Sequence, residues 1–306
     1  MAKFNRKSTA EAVSEGVDLR GKSALVTGAN TGLGMETTRV LALRGASVTM
    51  ACRNQEKAEQ ARQSIVTSSG GNISKDQLDL LELDLNSLDK TRAAAQTFNS
   101  WNRPLHLLVN NAGIMIPMER RTEDDFEAHL GINHLAHFLF TNLIIDSLRE
   151  VDRARVVVLS SAAMGMATLT PDLKDINWEQ RKFSGFRSYG DSKLMNLMFA
   201  RELHRRYADD GIVANALHPG VIATELGRDQ SMPFMLLGMF AIPFMKSVPQ
   251  GAATSVYVAT SAAYEERGGL YFSNCQEKRP DHKLALNDKV CGDVWQLSCE
   301  LTGLPV

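Results

Sequence analysis

Cysteine is scarce and shows no pairing pattern. The four, Cys52, Cys275, Cys291 and Cys299, form no C-x-x-C pair, which argues against a disulfide framework and a structural zinc site and points to a reducing compartment. Neither sign of charge dominates: 34 Lys and Arg stand against 35 Asp and Glu, a net charge of −1. The strongly basic face of a dedicated nucleic-acid binder is therefore missing. No apolar run reaches the about 20 residues of a membrane-spanning helix. The opening Met1-Ala2-Lys3-Phe4-Asn5-Arg6-Lys7 is basic but has no apolar core behind it, which excludes a secretory signal. Glu11, Glu15 and Asp18 follow too soon for an acid-poor transit leader. Repeats, low-complexity tracts and linkers rich in Pro, Gly or Ser are also lacking. The expectation is a cytoplasmic chain forming one domain.

What is present alternates. Short apolar runs at 23–27, 46–52, 77–83, 105–110, 155–159 and 213–217 read as buried strands. Amphipathic stretches at 32–44, 56–67, 89–101, 123–148 and 188–207 separate them and read as helices. Near-continuous apolar strands between helices signal a parallel sheet covered on both faces. Right-handed crossovers then give an α/β, doubly wound parallel sheet (Rossmann fold) over residues 21–306, with 1–20 as an extension. The alternation lapses over about 225–249, where a lid or binding loop is expected.

The first strand enters Thr27-Gly28-Ala29-Asn30-Thr31-Gly32-Leu33-Gly34 and then a helix. Glycines there let backbone approach a pyrophosphate, and the helix N-terminus favours negative charge. The spacing is G-x-x-x-G-x-G rather than G-x-G-x-x-G, so position after the first strand, not the pattern alone, separates it from an ordinary glycine-rich loop. A site preferring NAD places an acid at the end of the second strand. Here that end reads Cys52-Arg53-Asn54; Arg53 can fork a 2′-phosphate instead, which favours NADP(H). Asp84-Leu85 ends the third strand, where the carboxylate either meets an adenine amine or caps the next helix.

Tyr189 and Lys193 lie four residues apart, on one helical face. A tyrosine with a pKa near 10 is a poor acid–base at neutral pH unless a cation stabilises its phenolate, which Lys193 would supply. Tyr207, Tyr257, Tyr264 and Tyr271 lack a lysine four residues later. Ser160-Ser161 follows the fifth strand and Asn110-Asn111-Ala112-Gly113 the fourth, so all converge at the carboxyl edge of the sheet, where open α/β folds bind ligands. No G-x-S-x-G surrounds Ser161, which argues against a hydrolase nucleophile. None of the seven histidines sits in a triad signature. His134 and His137 read as polar positions near the site or as core histidines rather than metal ligands, and no metal is expected.

The set Thr27-Gly28-x-x-x-Gly32-x-Gly34, Asn110-Asn111-Ala112-Gly113, Asn133, Ser161, Tyr189-x-x-x-Lys193 and Pro219-Gly220 resembles the short-chain dehydrogenase/reductase family over about residues 18–304. Ala51-Cys52-Arg53-Asn54, Asn133-His134-Leu135-Ala136-His137-Phe138-Leu139 and Leu217-His218-Pro219-Gly220 are similar to the branch of retinol dehydrogenases, WW-domain-containing oxidoreductases and chloroplast-translocon-associated dehydrogenases. The opening from Ser8 to Asp18 looks most like the last group. Ala136 departs from a usual glycine, and no N-terminal membrane anchor is expected.

The resemblance implies an NADP(H)-dependent oxidoreductase acting on the carbonyl or alcohol of an apolar substrate, retinoid-like, steroid-like or another hydrophobic aldehyde or ketone. It implies that Tyr189 transfers the proton, that Lys193 lowers the tyrosine pKa and binds the nicotinamide ribose, and that Ser161 rather than Ser160 binds the reacting oxygen. Asn133 would hold a water linking Lys193 to solvent. Gly28, Asn30, Thr31, Gly32, Leu33, Gly34, Arg53, Asp84, Leu85, Asn111, Ala112, Gly113, Pro219, Gly220, Val221 and Thr224 would line the cofactor, with Val221 and Ile222 closing over the ring. A cofactor-dependent redox-sensing or interaction protein is the alternative.

Two segments carry further expectations. Residues 231–246 hold Met232, Met235, Met239, Met245, Phe234, Phe240 and Phe244, broken by Pro233, Gly238 and Pro243. Core, substrate lid and peripheral membrane patch are the readings, with the lid preferred. Val294, Leu297 and Leu301 form a stripe that either pairs subunits in a homodimer, the expectation here, or packs on its own sheet.

Overall fold

The computed structural model describes residues 4–222 and 245–305. Residues 5–19 lead in along the surface, with a short helix α1 (Ala10–Val13) capped by Thr9. Arg39 pairs with Glu11 at 2.5 Å, Phe4 packs edge-on against Tyr257, and the Gln276 side chain donates to the Phe4 carbonyl. The extension thus ties one helical face to the far edge of the sheet.

Strands β1 (Ser23–Thr27), β2 (Ser47–Cys52), β3 (Leu78–Glu82), β4 (Leu107–Asn110), β5 (Ala154–Leu159), β6 (Ile212–His218) and β7 (Tyr271–Ser273) run parallel, and β8 (Gln276–Lys278) is antiparallel at the edge. Their order is β3-β2-β1-β4-β5-β6-β7-β8. The reversal between β1 and β4 opens the crevice expected of a doubly wound sheet. Alternate residues face opposite layers. Val26, Val48, Met50, Val109 and Val157 pack under α2 (Gly32–Leu43), α3 (Gln55–Ser68) and the helix Val248–Thr260, called α8 below. Leu25, Leu108, Val156 and Val158 pack under α4 (Leu88–Ser100), α5 (Ala136–Leu143), α7 (Gly185–Tyr207) and the helix Asp288–Thr302, called α9.

The expected helix over 123–148 is not continuous. A turn precedes it, with Asp125 left-handed at φ 62° and the Thr122 amide donating to the Phe126 carbonyl. Residues His129–Leu135 then form a π-helix, α5 follows, and a break at Ile144 leaves a separate α6 (Ile145–Arg149). A π-turn widens the backbone and is often found at functional sites; here it carries Asn133. The β7–β8 edge was not expected either. Both strands are three residues long, and their turn places Asn274 and Cys275 at φ 55° and 58° without a glycine to announce it. In α9, Val294 is buried in the core of its own chain and Leu297 and Leu301 pack against that core.

Candidate active site

The site gathers on the carboxyl ends of β1, β4, β5 and β6. At the end of β1 the Gly28 amide donates to the Ala51 carbonyl, and Gly28 is left-handed at φ 66°. A Cβ on Gly34 would collide with the Gly28 carbonyl oxygen and come within 2.6 Å of Asn111 Nδ2. Only glycine lets α2 begin this close to the strand. The Asn54, Ser87, Ser247 and Asn287 side chains cap α3, α4, α8 and α9, whereas Thr31, at the start of α2, makes no side-chain cap. The first amides of α2 are thereby left for an anion, as a cofactor pyrophosphate requires. Leu33 is buried, Asn30 and Gly32 are half-buried, and Thr31 is exposed.

The β4 end is laced to the β1 end. Thr27 Oγ1 accepts from the Asn111 and Ala112 amides at 2.9 Å, and Asn111 Nδ2 donates to the Thr27 carbonyl at 2.8 Å. A Cβ on Gly113 would lie 3.1 Å from Asn133 Oδ1 and 3.3 Å from Lys193 Nζ, so this strap runs directly over both side chains. Asn133 is fully buried: Oδ1 accepts from the Ile114 amide at 2.8 Å, and Nδ2 donates to the Ile114 carbonyl and Ser192 Oγ.

The β5 end separates the two serines. Ser160 is buried and its hydroxyl donates to the Lys193 carbonyl at 2.6 Å. Ser161 is half-buried, accepts from the Ala163 amide at 3.1 Å, and its hydroxyl is the hydrogen-bond partner of Tyr189. Burial pushes the Tyr189 hydroxyl above its usual pKa, against the Ser161 hydrogen bond. Lys193 is 4% exposed, and burial lowers its ammonium to about 8. Its Nζ donates to the Leu159 carbonyl at 3.1 Å and stands 5.6 Å from the Tyr189 ring centre. Asn196 Nδ2 donates to the same carbonyl at 3.1 Å. Sequence reasoning passed over Asn196, although its position three residues after Lys193 puts it on the same face.

The remaining expected positions spread around this centre. Arg53 is exposed at the end of β2, next to Asn54, which caps α3. Asp84 Oδ1 accepts from the Asn86 amide, and Ser87 rather than Asp84 caps α4; Leu85 is in the core. After β6, Pro219, Gly220 and Val221 form a loop braced by Lys246. Lys246 is buried, its Nζ donates to the Pro219 carbonyl at 2.9 Å, and its amide donates to the Val221 carbonyl. Ile222 packs near Leu33 over Gly251. Thr224 and nearly all of the 225–249 and 231–246 segments lie outside the described residues. His134 and His137 are buried and bond within the protein, His134 to Ser298 and Asn196 and His137 to Thr27 and the Asn133 carbonyl. Among the described residues no group of three or more His, Cys, Asp or Glu side chains is placed to hold a metal, and no helix is long and apolar enough to cross a membrane.

This geometry has relatives. A family profile described as short chain dehydrogenase matches residues 22–170. Over 288 residues the chain is 41% identical to retinol dehydrogenase 12 of Mus musculus, across 94% of this chain and 88% of that one. It is 40% identical over 302 residues to the WW domain-containing oxidoreductase of Danio rerio, across 97% and 72% of the two chains. The crystal structure of an uncharacterized protein from Mycobacterium Paratuberculosis aligns with a TM-score of 0.75 and 31% identity, over 96% of this chain and 98% of that one. The chain belongs to the short-chain dehydrogenase family, in its retinol dehydrogenase-like branch, and is an oxidoreductase.

Proposed function

We propose a cytoplasmic, NADP(H)-dependent oxidoreductase that interconverts a carbonyl and an alcohol on an apolar substrate, with Tyr189 as the acid–base. The observation that carries this reading is the meeting of Ser161, Tyr189 and Lys193, with exposed apolar side chains on the neighbouring segments. Five large apolar side chains are exposed among the described residues, and four sit on segments that flank Ser161, Tyr189 and Lys193: Met118 (73%), Val221 (57%), Met166 (48%) and Phe186 (39%). Met118 follows Pro117, against which Gly185 at the start of α7 is packed. Met166 ends the turn that Ser161 begins and lies against Gly190. Phe186 precedes Tyr189 by three residues, and Val221 continues the Pro219-Gly220 loop. Exposed apolar side chains on segments beside a polar centre suit a hydrophobic ligand, and they are also where peripheral membrane contact would fall.

When bound, NADP(H) supplies or takes up the hydride. A substrate oxygen seated between the Ser161 and Tyr189 hydroxyls receives a hydrogen bond from each, and Tyr189 passes its proton to that oxygen as negative charge develops. In the oxidative direction Tyr189 takes the alcohol proton, and the buried Lys193 ammonium stabilises the phenolate that accepts it. Asn133 holds the Ile114 strap under which Lys193 lies. The uncapped α2 amides, Gly28 to Gly34 and the 111–113 strap would hold the pyrophosphate and ribose, Pro219 to Val221 the nicotinamide side, and Asp84 and Leu85 the adenine side. Arg53 would hold the 2′-phosphate. The half-buried Leu297 and Leu301 of α9 are the surface we assign to a homodimer; sedimentation showing a single 33.7 kDa species at micromolar concentration would retire that assignment.

Turnover of a panel of aliphatic aldehydes, ketones and retinoids, with NADPH and NADH in parallel, tests the reading. NADPH-dependent reduction of an apolar carbonyl is expected. Tight cofactor binding with no turnover across the panel would favour a redox-sensing role instead.

A further inference from the structure

His129 and Glu127 are both fully buried, and the His129 ring lies beside that of Tyr189. The His129 ring meets the Tyr189 ring edge-on, with centres 5.7 Å apart and planes at 71°. Its hydrogen bonds leave one protonation pattern. The Ile116 amide donates to Nε2 at 3.0 Å, so Nε2 carries a lone pair and the ring is neutral. Nδ1 therefore bears the hydrogen, which it donates to Glu127 Oε1 at 2.9 Å and Ser188 Oγ at 2.8 Å. Serine and carboxylate meet the same nitrogen, so this is not the relay of a hydrolase triad, in which they take opposite ring nitrogens.

Glu127 is itself pinned at three places. Oε2 accepts from the Leu130 amide at 3.0 Å, its own amide donates to Asn177 Oδ1 at 2.7 Å, and its carbonyl accepts from the Gly131 amide at 2.8 Å. The pair therefore joins four pieces of chain. These are the strap after β4 through Ile116, the segment before α7 through Asn177, the π-helix through Leu130 and Gly131, and α7 through Ser188 and the Tyr189 ring. Asn133, on the π-helix, and Tyr189, on α7, belong to this set.

We propose that His129, fixed by Glu127, is a positioning residue that sets the orientation of the Tyr189 ring relative to the Ile114–Pro117 wall of the cleft. With no exposed surface it cannot touch substrate, so it acts only through what it holds. Its leverage is geometric: a shift of about 1 Å in a proton-transfer group costs on the order of 100-fold in rate. The inference rests on Tyr189 being the acid–base.

The test compares His129→Phe, which keeps the ring contact but removes all three hydrogen-bond contacts of the imidazole, with His129→Gln, which can return an acceptor to the Ile116 amide. Tyr189→Phe is run in parallel. Expected for His129→Phe is a kcat lower by about ten-fold or more, a shifted pH limb of kcat, and an NADPH Kd within about two-fold of wild type by fluorescence. His129→Gln should recover at least about a third of wild-type kcat. The proposal is overturned if His129→Phe keeps more than about half of wild-type kcat with the limb unmoved, or if His129→Gln is as slow as His129→Phe. Should His129→Phe fail to fold, Glu127→Gln carries the same test: a several-fold loss of kcat with a moved limb supports it, and wild-type kinetics overturn it. A Tyr189→Phe variant that turns over normally would sink the acid–base reading itself, independently of His129.

Discussion

The Thr27 hydroxyl lies 2.9 Å from Nε2 of His137, 110 residues further along the chain. Because Thr27 Oγ1 already accepts from two amides, those of Asn111 and Ala112, its own hydrogen must go to His137. Nε2 is then an acceptor, and the hydrogen on Nδ1 points to the Asn133 carbonyl at 3.2 Å. Burial, reinforced by the charge of Lys193, lowers the His137 pKa to about 3, consistent with a neutral ring. One hydroxyl thus joins the glycine turn and the β4 strap to α5, and His137 carries the link on to the Asn133 carbonyl of the π-helix.

Thr27→Val removes this hydroxyl without changing volume. It strands two amide donors and the His137 acceptor, so unfolding free energy should fall by about 2–4 kcal/mol. Denaturant titration checks it. A change below about 0.5 kcal/mol would mean that water satisfies these groups instead.

Tyr189→Phe should bind NADPH normally and lose nearly all turnover, because only the transferable proton is removed. Lys193→Ala should damage both, if Lys193 serves tyrosine and ribose. Steady-state rates beside a fluorescence binding curve separate the two. Retention of more than about a tenth of wild-type rate by Tyr189→Phe would rule out its role.

Arg53→Ala should raise the NADPH KM about 10- to 100-fold, the worth of a charge-assisted pair to phosphate, and leave the NADH KM nearly unchanged. Equal effects on both cofactors would show that Arg53 does not read the 2′-phosphate.

Lys193 gives the cofactor-free protein a pH signature. Burial holds its folded pKa at about 8, below the usual lysine value of 10.5. Below pH 8 the lysine is charged in both states and the burial penalty is complete; above 10.5 it is neutral in both and the penalty is gone. Wild type should therefore gain roughly 3 kcal/mol relative to Lys193→Met as pH rises through this window. Parallel unfolding curves at both ends would refute the burial of a charged ammonium.

Asp191, between Tyr189 and Lys193, accepts from the Thr168 and Leu169 amides and from Arg181, whose guanidinium stacks 3.6 Å over Trp178. It anchors the segment between Ser161 and α7 to the helix bearing Tyr189. Asp191→Asn should lower stability by about 1–3 kcal/mol and raise substrate KM more than NADPH KM. Equal rises in the two Michaelis constants would contradict a role confined to the substrate side.

The first six strands, the glycine turn and the Tyr189–Lys193 face were legible because each depends on local periodicity: apolar runs, a strand-to-helix turn, a four-residue helical step. The π-helix was not legible. The residues over 123–148 keep helical spacing, and what accompanies the widened turn is tertiary: the docking of Asn133 against Ile114 and of His129 against the Ile116 amide. The β7–β8 edge was hidden by strands too short for a period and by a turn built from Asn274 and Cys275 rather than glycine.

By itself, then, the sequence determined the doubly wound sheet, its ligand-binding edge and the residue types brought there, since burial patterns and turn chemistry act over a few neighbouring residues. Tertiary structure decided which of Ser160 and Ser161 faces Tyr189, that the Thr27 hydroxyl donates to His137, and that His129 abuts the tyrosine ring. Those choices rest on hydrogen-bond partners tens to more than a hundred residues apart. A buried donor takes whichever acceptor the packed fold brings within about 3 Å, and no local pattern specifies that partner.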